Sequence, residues 1–308
     1  MPSHISFSSH LHACLLGGAI GDAMGRQYEN QQPMEEQGLF IWGEWEAPKT
    51  AWTLSDDTQL TLASCEAILA HAEIAPDQFA HTFLQWYQRG KLSGLGSATL
   101  QALRGLECGG HWSLVGKKGE QAAGNGTAMR IAPLAFVPEE PKRDLIRDIC
   151  RISHHNEEAY VGALAIYWGI RFSLFNSNWT SLEWMAHLTD LLPDSLVKDR
   201  MKEIIPLFPH TSIGEIAASF GNSGYVVESV PLAVYTASQS TSLGFEESMK
   251  ALIDSGGDTD THASMFGQLF GAKFGKTGLP VAWQQQLSTL EEYDHIDAIV
   301  QRWRILYG

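Results

Sequence analysis

The amino-acid sequence predicts an all-α protein that folds as one compact domain of many helices. Apolar residues recur mainly at helical spacing, as in the stripe of Leu60, Ala63 and Ala67, and glycine or proline separates the segments. No segment has the sustained alternation of a half-buried strand. With 308 residues, of which 44% are apolar, the chain can bury a large core. We expect one domain over residues 11–308, after an N-terminal tail over residues 1–10.

Several later segments carry the same helical pattern. Helices are predicted at Asp144–Ser153, Leu182–Leu192, Lys198–Ile205 and Ile213–Gly221. Another apolar stripe, which includes Leu252, runs up to Gly256 and Gly257, and a glycine pair is a common end for a helix. The elements therefore follow one another as helices joined by short connections.

Glycine recurs at every fourth position in two segments near opposite ends of the chain. The two sets are Gly17, Gly21 and Gly25, and Gly267, Gly271 and Gly275. On a helix each set lines one face and lets a second backbone approach closely. The charges of Asp22 and Lys273 argue against a membrane setting for these helices. Because a glycine inside a helix costs about 1 kcal/mol relative to alanine, we expect the two helices to pack tightly together beside a rigid site.

The charge balance limits the choice of partners. The net charge is -14, and no run of basic residues is longer than two. Nucleic-acid binding normally depends on clusters of lysine and arginine, so a nucleic acid is not the expected partner. A phosphate-bearing ligand would have to be held by backbone amides, isolated cations or a bound metal ion.

Cysteine usage and the N-terminal residues favour a cytoplasmic protein. The four cysteines, Cys14, Cys65, Cys108 and Cys150, lack zinc-site spacing and are expected to be buried, reduced thiols. Residues 1–10 lack the basic start and apolar run of a signal peptide, and the apolar stretch of residues 11–24 is too short to cross a bilayer. We expect a soluble, cytoplasmic monomer.

An acidic segment, Ser55-Asp56-Asp57-Thr58, stands directly before a predicted helix. One interpretation is an N-terminal cap with acidic residues at the positive end of the helix dipole. The other is half of a metal site, because adjacent ionised carboxylates repel and hard cations such as Mg²⁺ or Mn²⁺ prefer oxygen ligands.

A second acidic segment, Asp258-Thr259-Asp260-Thr261, also enters a predicted helix and has the same two interpretations. It is not an EF-hand loop, because the spaced acids, the glycine and the closing glutamate are missing. If the two glycine-striped helices pack side by side, the two acidic segments meet. A third segment, Gly124–Arg130, is either a tight turn before a helix or a loop that offers amides to phosphate.

These segments, in this order, resemble the ADP-ribosylglycohydrolase family, which includes the dinitrogenase-reductase-activating glycohydrolase and the ADP-ribosyl-acceptor hydrolases. The matching stretches are Leu16–Gly25, Tyr28-Glu29, Ser55–Thr58, Gly124–Arg130 with Pro133, Ser153-His154, Glu228–Pro231 and Gly256–Thr261. The resemblance runs from about residue 11 to about residue 305. It implies an all-α fold of this family's type with a central cleft that holds two metal ions.

The resemblance also implies roles for individual residues. The implied ligands of two Mg²⁺ or Mn²⁺ ions are Ser55, Asp56, Asp57, Asp258, Asp260 and Thr261. The implied contacts with ADP-ribose are Gly124, Asn125, Gly126, Thr127, Met129 and His154. Glu29 matches a glutamate near the metals, so the implied catalytic residues are Glu29, Asp56, Asp57 and Asp260. In the implied reaction the C1″ glycosidic bond of the distal ribose breaks through an oxocarbenium-like state, and water attacks.

One stretch departs from the family pattern. Many relatives carry an aspartate after the first metal helix, where this chain has residues 93–99, Ser-Gly-Leu-Gly-Ser-Ala-Thr. Glu29 is then the best candidate for the general base. Two alternatives to an enzyme stay open: a catalytically silent protein that binds ADP-ribose or another nucleotide, and a structural protein built on the same scaffold.

The acceptor of the ADP-ribosyl group also stays open. Arginine is the first candidate, while Tyr28-Glu29 and residues 279–286 resemble the ADP-ribosyl-serine branch. O-acetyl-ADP-ribose and other small metabolites are further alternatives. The loops expected to meet the acceptor are residues 31–46 and 90–119, and Trp52 is expected near the cleft.

Overall fold

A computed structural model describes residues 7–29, 51–71, 73–175 and 179–307. In chain order the α-helices are α1 Phe7–Gly25, α2 Asp56–Ala70, α3 Pro76–Gln88, α4 Ser97–Glu107, α5 Trp112–Val115, α6 Arg143–Arg151, α7 Glu157–Phe175, α8 Ser181–Leu191, α9 Leu196–Ile204, α10 Ile213–Phe220, α11 Val226–Asp254, α12 Thr259–Phe274, α13 Val281–Leu287 and α14 Glu291–Tyr307. Short 3₁₀ helices lie at Glu120–Ala122, Ala128–Arg130, Ala132–Phe136, Ile205–Leu207 and Lys276–Gly278. The prediction of an all-α fold is confirmed.

The strands in the described ranges are very short. β1 is Lys117–Lys118 and β2 is His154–His155, and the two pair in parallel. Helix α1 begins at Phe7, within the N-terminal tail predicted for residues 1–10. None of the helices in the described part of the chain is long and apolar enough to cross a membrane.

Helices α1 and α12 form the centre of the core and pack antiparallel. A Cβ atom added to Gly17 would overlap the carbonyl oxygen of Gly267, and one added to Gly21 would overlap that of Ala263. Gly25 faces Thr259 in the same way. Each step of four residues along α1 is therefore matched by a step of four in the opposite direction along α12. This register brings the end of α1 beside the start of α12, where the second acidic segment lies.

Two smaller predictions about these helices and the thiols are wrong. Gly275 does not lie on the packed face of α12, since it follows the last helical residue and ends the helix with a φ of +71°, a value that favours glycine. Cys108 is exposed at the end of α4, whereas the other three cysteines are buried and unpaired as expected.

The other helices surround this central pair. Helices α2 and α14 pack on α1, while α7 and α11 pack on α12. α11 changes direction at Gly244, which has a φ of +80°. The α1–α2 contact holds the start of α2 near the start of α12, so the fold brings together two segments about 200 residues apart in sequence.

Candidate metal centre and ligand cleft

Asp22 of α1 holds the N-terminus of α2 in place. Its carboxylate, which is fully buried, accepts hydrogen bonds from the backbone N–H of Ser55 at 3.0 Å and of Thr58 at 3.2 Å. The Thr58 hydroxyl donates to the same carboxylate at 2.6 Å. A carboxylate at this end of a helix is stabilised by the helix dipole and the free N–H groups. Asp22 therefore positions the first acidic segment.

The capping interpretation of the first acidic segment is confirmed, and the segment also contacts the second acidic segment. Ser55 is the N-cap of α2, and its side chain accepts a hydrogen bond from the backbone N–H of Asp57 at 3.2 Å. Asp57 also accepts at its Oδ2 atom from Thr261 on α12, at 3.2 Å. The two acidic segments are therefore in direct contact, as the glycine stripes predicted.

Five carboxylates meet where these helices start. In each of two groups of three, one oxygen per residue lies within 4.8 Å of the others: Asp22, Asp57 and Asp260 form the first group, and Glu29, Asp258 and Asp260 form the second. Asp260 belongs to both. Asp22, Asp57 and Asp260 are buried, while Glu29 is exposed at the edge. Adjacent three-oxygen sites that share one carboxylate are the arrangement expected for a pair of divalent cations.

The proton affinity of these carboxyl groups shows how costly their negative charges are. Burial, together with the charge of Asp22, raises the pKa of Asp56 to about 7. Burial and Asp258 raise the pKa of Asp260 to about 9. Burial and Asp260 raise the pKa of Asp57 well above its usual range. Removing charges from water and placing them side by side disfavours the ionised forms, and a cation between them would restore ionisation.

The residues present fit two hard cations. The donors are all oxygens, and Asp57 Oδ1 is buried without a hydrogen-bond partner among the described residues. A buried carboxylate oxygen without a partner is costly unless a ligand satisfies it. The fit includes Asp22, which the sequence placed outside the ligand set. Ser55 does not line the cleft, and its hydroxyl donates to Asp57 Oδ2 at 3.0 Å.

A cleft of about 440 Å³ opens above the carboxylates. Its lining is Glu29, Asp56, Asp57, Gly94, Gly96, Ser97, Ala98, Thr99, Gln121, Gly124, Asn125, Gly126, Met129, His154, Asn222, Ser223, Gly224, Gly257, Asp258, Asp260 and Thr261. Within the described ranges no lysine or arginine is part of this lining. A phosphate group in the cleft would therefore depend on neutral N–H donors and on metal ions, as expected from the composition.

The glycine loop at residues 124–126 forms part of the cleft wall. Asn125 donates from Nδ2 to Asp258 Oδ2 at 2.7 Å, and its backbone N–H donates to Gly224 O at 3.1 Å. Gly124 forms an antiparallel bridge with Tyr225. The loop is thus attached both to a carboxylate of the candidate metal centre and to the segment before α11.

Most of the predicted ligand contacts line the cleft, and one does not. Gly124, Asn125, Gly126, Met129 and His154 are part of the lining. Thr127 is buried behind them and donates from Oγ1 to Ala159 O at 2.9 Å, so it attaches the loop to α7.

The remaining sequence predictions about the cleft have mixed outcomes. Trp52 is buried and does not line the cleft. Residues 279–286 lie around α13, which packs on α1, away from the lining. Residues 94 and 96–99 contribute to the lining, whereas residues 31–46 lie outside the described ranges. The stretch 93–99 brings the hydroxyls of Ser97 and Thr99 but no carboxylate.

Sequence reasoning did not identify the segment Asn222–Gly224, which forms part of the cleft wall. Glu228 holds this segment, because its Oε2 accepts from the Ser223 hydroxyl at 2.6 Å and from the Ser223 backbone N–H at 3.0 Å. Asn222 donates from Nδ2 to Ser255 O at 2.7 Å. The sequence signal for this segment was the Glu-Ser-Val-Pro stretch at 228–231, because its glutamate holds the cleft-wall loop in place and does not itself line the cleft.

Fold and site together define an all-α protein whose cleft joins a carboxylate cluster to a glycine loop. A family model described as ADP-ribosylglycohydrolase matches residues 3–307, nearly the whole chain. The chain therefore belongs to the ADP-ribosylglycohydrolase family, and the family prediction is confirmed.

Named relatives and a solved structure agree with this assignment. The chain is 26% identical to ADP-ribosylhydrolase ARH3 of Homo sapiens, over 93% of this chain and 91% of the relative. It is also 26% identical to ADP-ribosylarginine hydrolase Tri1 of Pseudomonas putida (strain GB-1), over 96% and 80%. A solved structure titled ADP-ribosylglycohydrolase-related protein complex superposes with a TM-score of 0.65 at 25% identity, covering 98% of this chain and 99% of that chain.

Proposed function

We propose that this chain is a metal-dependent hydrolase that cleaves the C1″ glycosidic bond of an ADP-ribosylated acceptor and releases ADP-ribose. The observation that carries the proposal is the pair of three-carboxylate groups sharing Asp260 at the floor of the cleft. A protein that only binds a nucleotide gains nothing from bearing the cost of these buried carboxylates. Family membership supplies the substrate class.

The proposed metal ligands are Ser55, Asp56, Asp57, Asp258, Asp260 and Thr261, with Asp22 close enough to contribute an oxygen. When bound, two Mg²⁺ or Mn²⁺ ions would orient the ribose hydroxyls and lower the pKa of a water molecule. The Ser55 hydroxyl also donates to Asp57 Oδ2, so without metal ions it holds the carboxylate of another proposed ligand.

The chain's own groups would divide the remaining work. Gly124, Asn125, Gly126 and Met129 line the wall where the ADP-ribosyl group would lie, with Thr127 fixing the loop from behind. Glu29, at the exposed edge of the second carboxylate group, is the proposed general base that takes a proton from the attacking water. No carboxylate of residues 93–99 competes for that role.

We propose arginine as the first acceptor to test. The Pseudomonas relative is named as an ADP-ribosylarginine hydrolase, whereas the name ADP-ribosylhydrolase ARH3 specifies no acceptor. The acidic lining, with no lysine or arginine in the described ranges, also suits a cationic guanidinium leaving group. We propose further that the chain acts as a cytoplasmic monomer on a modified protein or metabolite and not on nucleic acid or membrane, in keeping with its charge of -14.

A substrate panel tests the proposal against a silent binder. Purified protein with Mg²⁺ or Mn²⁺ is incubated with ADP-ribosyl-arginine, ADP-ribosyl-serine and O-acetyl-ADP-ribose, and mass spectrometry measures free ADP-ribose. We expect release from at least one substrate, fastest from the arginine compound, and loss of release in Asp258→Asn. Tight ADP-ribose binding with no release from any substrate would instead establish the binder.

A further inference from the structure

Arg130 is a buried cation directly behind the glycine loop. Its side chain is 2% exposed, and in the described ranges no carboxylate lies within ion-pair distance of it. The guanidinium lies over the ring of Phe83, 5.1 Å from the ring centre. Burial lowers its pKa to about 10, so it stays protonated at neutral pH. Burying an unpaired cation is costly, and the contacts of Arg130 indicate what it supports.

Those contacts lead from Arg130 to the ring of His154. Arg130 donates from Nη1 to Gly126 O, and from Nη2 to Ser153 Oγ at 2.7 Å. Ser153 Oγ in turn lies 2.9 Å from His154 Nδ1. The backbone of this segment is held as well, because Lys117 donates its backbone N–H to Ser153 O and pairs with His154 between β1 and β2.

The direction of the Ser153–His154 hydrogen bond follows from counting protons. A guanidinium only donates, so Ser153 Oγ accepts from Arg130. If Oγ also accepted a proton from Nδ1, its own hydroxyl proton would have no acceptor among the described residues, at a position only 2% exposed. The hydroxyl therefore donates to Nδ1, and the proton of the neutral imidazole is on Nε2.

The Nε2 side of the ring faces the cleft. A Cβ atom added to Gly124 would lie 3.1 Å from Nε2, and one added to Gly126 would lie 2.9 Å from Cε1 of the same ring. Nε2 has no hydrogen-bond partner in the described part of the chain, and His154 lines the cleft. Burial and the positive charge of Arg130 lower the pKa of His154 to about 3, so the ring stays neutral at physiological pH.

We infer that Arg130 and Ser153 are positioning residues that hold His154 as its Nε2–H tautomer, so that a neutral N–H in the cleft donates to a phosphate oxygen of the bound ADP-ribosyl group. This inference rests on the proposed function for the identity of the ligand. It explains how a cleft without lysine or arginine in its described lining binds a diphosphate. Arg130 supplies the positive charge from behind the glycine loop. His154 supplies the hydrogen bond, because its Nε2 is held as a donor and does not become an acceptor.

The tautomer is measured directly by nitrogen NMR of the imidazole rings, with His154→Gln used to assign the signals. We expect the wild-type protein to carry the proton on Nε2 throughout the neutral pH range. In Ser153→Ala the fixed tautomer should be lost, and ADP-ribose affinity measured by calorimetry should fall about tenfold, the usual scale for one hydrogen bond in a desolvated site. Ser153→Thr keeps the hydroxyl and should restore both readouts.

Ser64→Ala is the matched control, since Ser64 is equally buried and its hydroxyl donates to Leu60 O at 2.8 Å, within α2. It should leave the tautomer and the ADP-ribose affinity unchanged. A wild-type ring protonated on Nδ1 would overturn the inference, and so would a Ser153→Ala protein with unchanged tautomer and affinity. If the wild type does not bind ADP-ribose, the proposed function fails, while the tautomer still decides the positioning role.

Discussion

Replacing Asp57 by asparagine should have opposite effects on stability with and without metal ions. Asp57 is 1% exposed, and burial and Asp260 raise its pKa well above the usual range. In metal-free protein at neutral pH, folding must therefore either bury a charge among like charges or take up a proton. Asparagine has a similar shape and requires neither, so metal-free Asp57→Asn should be more stable than wild type.

Full protonation of Asp57 in the folded state at pH 7 would set the upper limit of this effect. Relative to the ordinary carboxyl pKa of 3.8, that limit spans about three pH units. At about 1.36 kcal/mol per unit the upper limit is about 4 kcal/mol. Asparagine is a weaker acceptor than a carboxylate for the hydrogen bond from Thr261, which reduces this figure. We therefore expect metal-free Asp57→Asn to be more stable than wild type by between about 1 and 4 kcal/mol. With metal ions the order reverses, because two ions, each at 100 times its Kd, would stabilise wild type by about 5.4 kcal/mol in total, or about 2.7 kcal/mol per ion.

Thermal or urea unfolding in EDTA and in excess Mg²⁺ or Mn²⁺ measures both halves of this prediction. The slope of stability against pH also differs: the raised pKa makes metal-free wild type less stable as pH rises from about 5 to 8, and the variant should show a shallower fall. Asp194→Asn is the control, since it removes the same charge from a side chain that is 98% exposed. A metal-free Asp57→Asn protein less stable than wild type, with no metal response in either, would refute the reasoning.

Three further outcomes are expected. Gly17→Ala should destabilise the protein by about 3 kcal/mol or more in urea unfolding, because the new methyl group overlaps Gly267 O. Gly214→Ala is the control and should not destabilise the protein, because the space around its Cβ is open. Equal stability of the two variants would contradict the close contact between the helices. Because the metal-free pKa of Asp56 is about 7, Mn²⁺ affinity by calorimetry should rise at least about tenfold between pH 6 and 8, and a flat profile would exclude proton release on binding. Glu29→Gln should lower kcat by about 10² to 10⁴ and leave Mn²⁺ binding measurable, while normal turnover would remove Glu29 as the base.

Patterns repeated along one segment could be predicted from the sequence. The predicted helix at 182–192 is observed at Ser181–Leu191, and the one at 213–221 at Ile213–Phe220, because apolar periodicity and glycine or proline stops are local signals. The glycine stripes went further and predicted a tertiary contact, since glycine at every fourth position of a helix makes sense only against another backbone.

Contacts between distant segments could not be predicted in the same way. Nothing local to Arg130 shows that it lies behind His154, because Ser153, which connects them, comes from a different part of the chain. Which helix Asp22 holds is likewise visible only from the packing, in which α2 begins at its carboxylate. The sequence identified the acidic segments and the glycine loop of the cleft, whereas the side chains that hold these segments in place became visible only from the packing.

The central claim is that carboxylates from opposite ends of the chain hold the metal ions that ADP-ribosyl hydrolysis requires. The most direct test is the initial rate of ADP-ribose release from the best substrate of the panel, measured in chelator and then during titration with Mn²⁺, with bound ions counted in parallel. The account predicts no release in chelator, full activity at two bound ions per chain, and none in Asp260→Asn, which lacks the carboxylate shared by both groups. Undiminished release in chelator, or from Asp260→Asn, would contradict it.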